Sequence, residues 1–335
     1  MKKIALAGTV LAALSLTALI SGCSDNKTPS APGGSSASTP SRSGTIALAF
    51  VTNNPSDYWT ICRKGTEAAA KELGDVTVQF VMPDDGTAAT QKRDVDDLLA
   101  KGVKGIAISP VDPANETTYL NDVAGKANLI TSDSDAASSK RLCYIGTDNH
   151  AAGLMAGDLL KQALPAGGKV VLFVGKRDAQ NAKDREQGIR DAIKGARIDI
   201  LDVRTDDADH ARAKANAADT LVKYSDVAAL VGLWSYNAPA ILSAVKDAGK
   251  IGKVKIVGFD QEEDTLGGLK TGAIFGTVVQ QPYQFGYQSV KLLEQLAKGD
   301  KGGLPKTGLV IVPTQAIKPD GVAAYIAGQN KLLGK

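Results

Sequence analysis

From Gly44 onward, short apolar runs alternate with helix-like segments at a spacing of roughly 25–30 residues, and this repeat restricts the fold more than any other feature. Runs such as TIALAFV (45–51), KVVLFVG (169–175) and VAALVGL (227–233) are almost unbroken in apolar residues. Strands of a parallel sheet covered on both faces need that composition, whereas a half-exposed strand would alternate. The pattern predicts strands over 45–51, 76–81, 105–109, 129–132 and 142–146, with helices over 58–73, 88–101 and 116–126 between them. After a linking helix over 150–164, a second series follows. It has strands at 169–175, 199–203, 227–233, 253–259 and 273–279 and helices at 182–194, 211–223 and 239–248. A helix over 284–297 and a strand over 309–312 close the chain. The expected class is α/β, with two doubly wound parallel-sheet halves following one another.

In open α/β sheets, ligands bind beyond the carboxyl ends of the strands. The first such end is TIALAFVTNNPSDYWT, where the strand breaks at Asn53-Asn54-Pro55 and Ser56 or Asp57 is placed to cap a helix. That edge carries an amide, Asn54, and two adjacent rings, Tyr58 and Trp59, in a chain with only 5% aromatic residues. Other strands also end in polar groups: Asp133 after LITS, Trp234 and Ser235 after ALVGL, Asp260 after KIVGF, and Gln280 after GTVV. One such end is equally well a turn or cap residue. Five together, counting Asn54, point to a shared polar crevice. Arg185, in NAKDREQGI, lies at the start of a helix of the second half, facing either the crevice or solvent beside Glu186.

The first 43 residues belong to a different regime. Lys2 and Lys3 precede the apolar Ile4–Ile20, followed by Ser21-Gly22-Cys23, which reads as a secretory signal over 1–22. The segment ending at Cys23 resembles the lipobox of bacterial lipoproteins, which implies that Cys23 is lipidated and becomes the mature N-terminus. Residues 24–43 are rich in Ser, Pro, Gly and Ala and read as a flexible tether with a reach of roughly 25 Å. The formal charge is +3, and loss of Lys2 and Lys3 with the signal leaves +1, too weak a field to favour nucleic acid. No second apolar stretch long enough for a membrane span follows. Cys62 and Cys143 are then the remaining cysteines, expected as small buried hydrophobes rather than as a pair.

No catalytic or cofactor-binding pattern is present. The two histidines, His150 and His210, have no Cys or Glu at zinc-ligand spacing. The chain has no G-x-S-x-G elbow, no Walker loop and no G-x-G-x-x-G after a strand. Asp206-Asp207-Ala208-Asp209-His210 lacks the spaced oxygens of a calcium loop and reads as the cap of the helix that follows. The strand ends suit neutral polyols instead. Carboxylates accept two hydroxyl hydrogens, Arg donates from a rigid fork, amides do both, and rings cover the C–H face of a sugar.

The ordered motifs TIALAFVTNNP…YW, LITSDSD, YIGTDNHAAGLMAGDLL, KDREQG, KIVGFDQ and GTVVQQPYQFGYQSV together resemble type I periplasmic sugar-binding proteins, nearest the ribose-binding branch. The resemblance runs from Thr45 to about Leu333. It implies two lobes joined by a three-strand hinge, crossed near Asp148, near Gln281-Pro282 and near Pro305–Gly308. Lobe one is then 44–148 with 282–307, and lobe two 149–281 with 308–335. By motif, Asn54, Asp133, Arg185, Asp260 and Gln280 match the family's polar sugar contacts, and Tyr58 and Trp59 its stacking rings, displaced by two residues. Asn181 falls at a lining position. Departures are Ser134 in place of an Arg, Ala208 in place of a ring, and Ser235 in place of an Asn, with Trp234, Tyr236 and Asn237 around it. These departures leave ribose, another pentose, a hexose, a cyclic polyol or a signalling sugar open.

The resemblance implies a lipid-anchored monomer, in the periplasm or on the outer face of the cytoplasmic membrane, that delivers a small sugar or polyol to an ABC permease. It implies no cofactor, no metal, no nucleic acid and no enzymatic activity. A sensory subunit presenting the sugar to a kinase or chemoreceptor is the alternative. An intracellular repressor of this fold conflicts with the leader and with the lack of a helix-turn-helix before Gly44.

Overall fold

The computed structural model describes residues 44–56 and 58–334. The signal, lipidation and tether expectations therefore lie outside the described residues, as does capping by Asp57. In chain order the first half is β1 (Ile46–Val51), α1 (Tyr58–Leu73), β2 (Val76–Val81), α2 (Ala88–Ala100), β3 (Gly105–Ile108), α3 (Pro113–Ala124), β4 (Asn128–Ser132) and β5 (Cys143–Gly146). The second is α4 (Asn149–Ala163), β6 (Gly168–Val174), α5 (Gln180–Ala192), β7 (Ile198–Thr205), α6 (His210–Lys223), β8 (Val227–Gly232), α7 (Asn237–Asp247), β9 (Lys255–Phe259), α8 (Glu263–Lys270) and β10 (Gly276–Val279). The chain ends with α9 (Pro282–Ala297), β11 (Leu309–Ile311), β12 (Gln315–Ile317) and α10 (Val322–Leu333).

These strands form two six-stranded sheets of matching order, β11-β5-β4-β3-β1-β2 and β12-β10-β9-β8-β6-β7. The first is wholly parallel; in the second, β12 runs antiparallel to β10. Unbroken apolar strands are explained by cores on both faces. Leu48 and Phe50 of β1 enter one cluster, while Ala49 and Val51 enter the cluster on the opposite face. In β6, Val170, Leu172 and Val174 face one way and Val171 and Phe173 the other. Several helices start where short polar side chains satisfy their first amides. Thr87 accepts from Thr90 N, Asp112 from Asn115 N, Asp148 from Ala151 N and Asp209 from Arg212 N. The cap expected from the 206–209 run is thus supplied by Asp209. Cys62 and Cys143 are both buried free thiols.

The chain leaves the first sheet after β5, returns to its flank with α9, which packs on α1, β3 and β4, and leaves finally after β11. The expected third crossing at Pro305–Gly308, with 308–335 in lobe two, is corrected here. Leu309–Ile311 pairs with Tyr144–Gly146 at the edge of the first sheet, so the crossing falls between β11 and β12. Pro305 and Gly308 form a turn inside that lobe (Gly308 N to Pro305 O, 2.9 Å), and Gly308 O accepts from Tyr144 N and Arg141 Nη1. Helices α8 and α10 and strand β12 were not foreseen. Among the described residues no helix is long and apolar enough to cross a membrane.

Candidate functional site

The carboxyl ends of the central strands of both sheets meet at an open cleft whose empty space, counted out into the solvent, is ≈ 350 Å³. From the first lobe it is lined by Asn53, Asn54, Ser56, Tyr58, Trp59 and Asp133, and from the second by Asn181, Arg185, Trp234, Ser235, Tyr236, Asp260 and Gln280. All of the residues expected at the site therefore converge on it except Ser134 and Asn237.

Asn54 shapes the entrance: its Oδ1 accepts from Ser56 N (3.0 Å) and its Nδ2 donates to Asn53 Oδ1 (2.8 Å), fixing the turn that follows β1. The Tyr58 hydroxyl donates to Asp133 Oδ1 (3.1 Å), and Ser109 Oγ donates to the other oxygen (3.2 Å). Trp59 is 1% exposed, its ring edge-on to Tyr58 at 5.0 Å and tilted against Phe50 at 6.0 Å. Across the cleft Gln280 Nε2 donates to Asp260 (3.1 and 3.2 Å), while Gln280 Oε1 accepts from Thr147 Oγ1 (2.9 Å). That last bond joins the residues following β5 and β10, which hold equivalent places in the two sheets.

The charge of Arg185 acts on both acids. Its Nε donates to Asn149 Oδ1 (2.9 Å), its Nη1 to Leu233 O (2.7 Å), and its guanidinium lies 4.5 Å from the centre of the Phe259 ring. Burial pushes the Asp260 carboxyl up to about 6 against the opposing pull of Arg185 and Gln280. Burial likewise raises Asp133, more than Arg185, Tyr58 and Ser109 together lower it. The Tyr58 hydroxyl is pushed well above its usual range by burial and then by Asp133. On the second lobe, Arg185 Nη2, Asn181 Oδ1 and Trp234 Nε1 are buried without a hydrogen-bond partner. Polar atoms buried unpaired cost about 1–3 kcal/mol each, so three in one cleft need an explanation.

Ser134 fails to reach the cleft because Asp133 has φ 65, a left-handed turn that aims the carboxylate inward and sends the next residue behind the strand. There Ser134 N donates to Ser132 O (2.8 Å). Asn237 lies beneath the cleft, accepting from Trp234 N (3.0 Å) and donating to Asp206 Oδ2 (3.0 Å). Asp206, whose carboxyl burial also raises, accepts from Tyr236 as well, so it braces the loop that presents Trp234, Ser235 and Tyr236. The sequence reading gave Asp206 only a capping role and missed Asn53, Ser56 and Tyr236 as lining. Gln91 was also missed: its Nε2 donates to Thr52 O (2.7 Å) and Ser109 O (2.8 Å) and its Oε1 accepts from Val111 N (3.2 Å), tying the ends of β1 and β3. No cluster able to hold a metal ion exists among the described residues.

Fold and cleft together define a two-lobed α/β binding protein, with polar groups from both sheets facing one slot. Residues 46–301 match the family described as periplasmic binding protein domain, and the chain belongs to that family. It is 32% identical over 270 residues to the ribose import binding protein RbsB of Haemophilus influenzae, covering 79% of this chain and 89% of that protein. It is 28% identical over 261 residues to the D-allose-binding periplasmic protein of Escherichia coli, covering 74% and 83%. Among solved structures it is similar to an ABC transporter solute-binding protein from Burkholderia graminis in complex with D-arabinose, with TM-score 0.80 and 28% identity over 84% of this chain and 98% of that one.

Proposed function

We propose that this chain is an exported sugar- or polyol-binding protein of an ABC importer, held to a membrane by lipid on Cys23, that closes its lobes on one small ligand and presents the closed form to a permease. The observation that carries this reading is the set of buried atoms without protein partners, Arg185 Nη2, Asn181 Oδ1 and Trp234 Nε1, in the same cleft as Asp133 and Asp260. Two donors and one acceptor, set beside two carboxylates, complement a molecule with several adjacent hydroxyls. Tyr58 and Trp59 supply apolar ring surface for its C–H faces. Closure strengthens each of these bonds by removing water from the slot. The binding of ribose, allose and D-arabinose by similar proteins supports the same ligand class.

Isothermal titration against aldopentoses, aldohexoses and cyclic polyols tests the ligand. A folded protein that takes up none of them would refute the reading. Fractionation tests the anchor: the intact chain should partition with membranes and the Cys23→Ser variant should not.

A further inference from the structure

The space between the sheets does not end at the cleft. A second, partly open space lies beside it, ≈ 640 Å³ when counted out into the solvent, lined by Asp84, Gly86, Lys176, Asp207 and Ala208 among others. Lys176 Nζ donates to Gly86 O (3.3 Å) across this region, from the second lobe to the first. Asn53, Asn54 and Trp234 line both spaces, so the partition is the turn after β1 meeting one indole ring.

The ring is held there firmly. Its backbone amide donates to Asn237 Oδ1 (3.0 Å), and its plane stands at 77° to Tyr236, with centroids 6.4 Å apart. It lies against Gly175, where an added Cβ would come within 2.2 Å of Trp234 Cζ3 and 2.6 Å of the Tyr236 hydroxyl. The indole nitrogen is buried and has no protein acceptor. A donor left unpaired beside a polar cleft is explained by a ligand acceptor, and a ring between two voids by a limit on ligand length.

We propose that Trp234 is the specificity-determining residue of the cleft: its ring ends the cleft at one monosaccharide-sized ligand, and its indole N–H donates to an oxygen of that ligand. This rests on the sugar-receptor reading above. To the donor already named there it adds a size limit, set by the Trp234 ring between the two spaces.

The test titrates wild type, Trp234→Phe and Trp234→Ala with D-ribose, D-arabinose and D-allose, and with the mono-O-benzyl ethers of each, one for every hydroxyl. Wild type should bind at least one free sugar and reject all of its ethers. Trp234→Phe, which keeps an aromatic ring but loses the donor, should bind the free sugar about tenfold more weakly. Trp234→Ala, which joins the two voids, should accept at least one ether that wild type rejects. The chain has two tryptophans, so the Trp234 indole N–H signal is identified by its loss in Trp234→Phe, and it should move on saturation with the free sugar. Should Trp234→Ala not fold, Gly175→Ala displaces the ring without changing it and should weaken the free sugar likewise. Wild-type affinity in Trp234→Phe with an unmoved indole signal would overturn the proposal, as would rejection of every ether by a folded Trp234→Ala. Wild type that binds no aldopentose, aldohexose or cyclic polyol would overturn the receptor reading, and this inference with it; failure of the variants alone overturns only the role of Trp234.

Discussion

Asp133 and Asp260 occupy one structural position twice: each follows the third strand of its sheet, counted from the edge formed by β11 or β12, and each has a left-handed backbone, φ 65 and φ 64. Short polar side chains tolerate that conformation better than most, at a cost of order 1–3 kcal/mol, and such strain collects at working sites. Repetition of one local device in two lobes gives the cleft a carboxylate on either wall.

Because the folded Asp260 carboxyl sits at about 6, above the unfolded value near 3.9, the folded chain holds its proton more tightly. Stability therefore falls as pH rises from about 4 to about 6 and is level, for this group, above that. The full change is about 3 kcal/mol. Urea midpoints measured across this range should show the slope in wild type and lose much of it in Asp260→Asn. Equal slopes in both proteins would contradict the assignment.

The same ionisation governs the ligand. An ionised Asp260 accepts two hydroxyl hydrogens and a protonated one accepts fewer, so affinity should fall when titrations move from pH 7.5 to pH 5. Asp260→Asn should bind at least tenfold more weakly at pH 7.5 while melting cooperatively. Unchanged binding would place the ligand elsewhere.

Arg185 opposes the upward shift of both acids. Replacing it with Met should push the Asp260 carboxyl higher still, read from the pH dependence of its carbon-13 resonance. Arg185→Lys keeps a charge but loses the fork that spans Asn149 Oδ1 and Leu233 O, and it should cost ligand affinity on the order of 100-fold. A carboxyl that titrates as in wild type after Arg185→Met would remove Arg185 from its surroundings.

Gln91 is a brace that does not itself line the cleft. Gln91→Ala abandons two buried carbonyls and one amide at the ends of β1 and β3, which should lower stability by about 2–3 kcal/mol in urea unfolding. A loss below about 0.5 kcal/mol would show that water replaces the amide without penalty.

Much of this architecture is legible in the residues. α1 begins and ends where Tyr58 and Leu73 were expected to bound it, because an Asn-Asn-Pro break precedes an amphipathic run. The paired carboxylates are legible as polar ends of apolar strands. What escaped depends on backbone geometry or partners distant in sequence. Ser134 reads as a wall residue until the left-handed Asp133 turns it away. Asp206 reads as a cap because its partners, Tyr236 and Asn237, lie about thirty residues onward. β11 falls to the wrong lobe because the resemblance places the last crossing at Pro305–Gly308, whereas pairing with β5 decides the matter. α8 carries two adjacent glycines in eight residues, which hides its periodicity.

The first lobe is not finished by the first half of the polypeptide. Phe285, Val290 and Leu293 of α9 share a core with Leu48, Phe50 and Cys62, and β11 closes the sheet beyond β5. A nascent chain that has emerged only through β10 still leaves the inner side of α1 bare, so neither folding order nor truncation can give a complete N-terminal lobe before the C-terminal residues arrive.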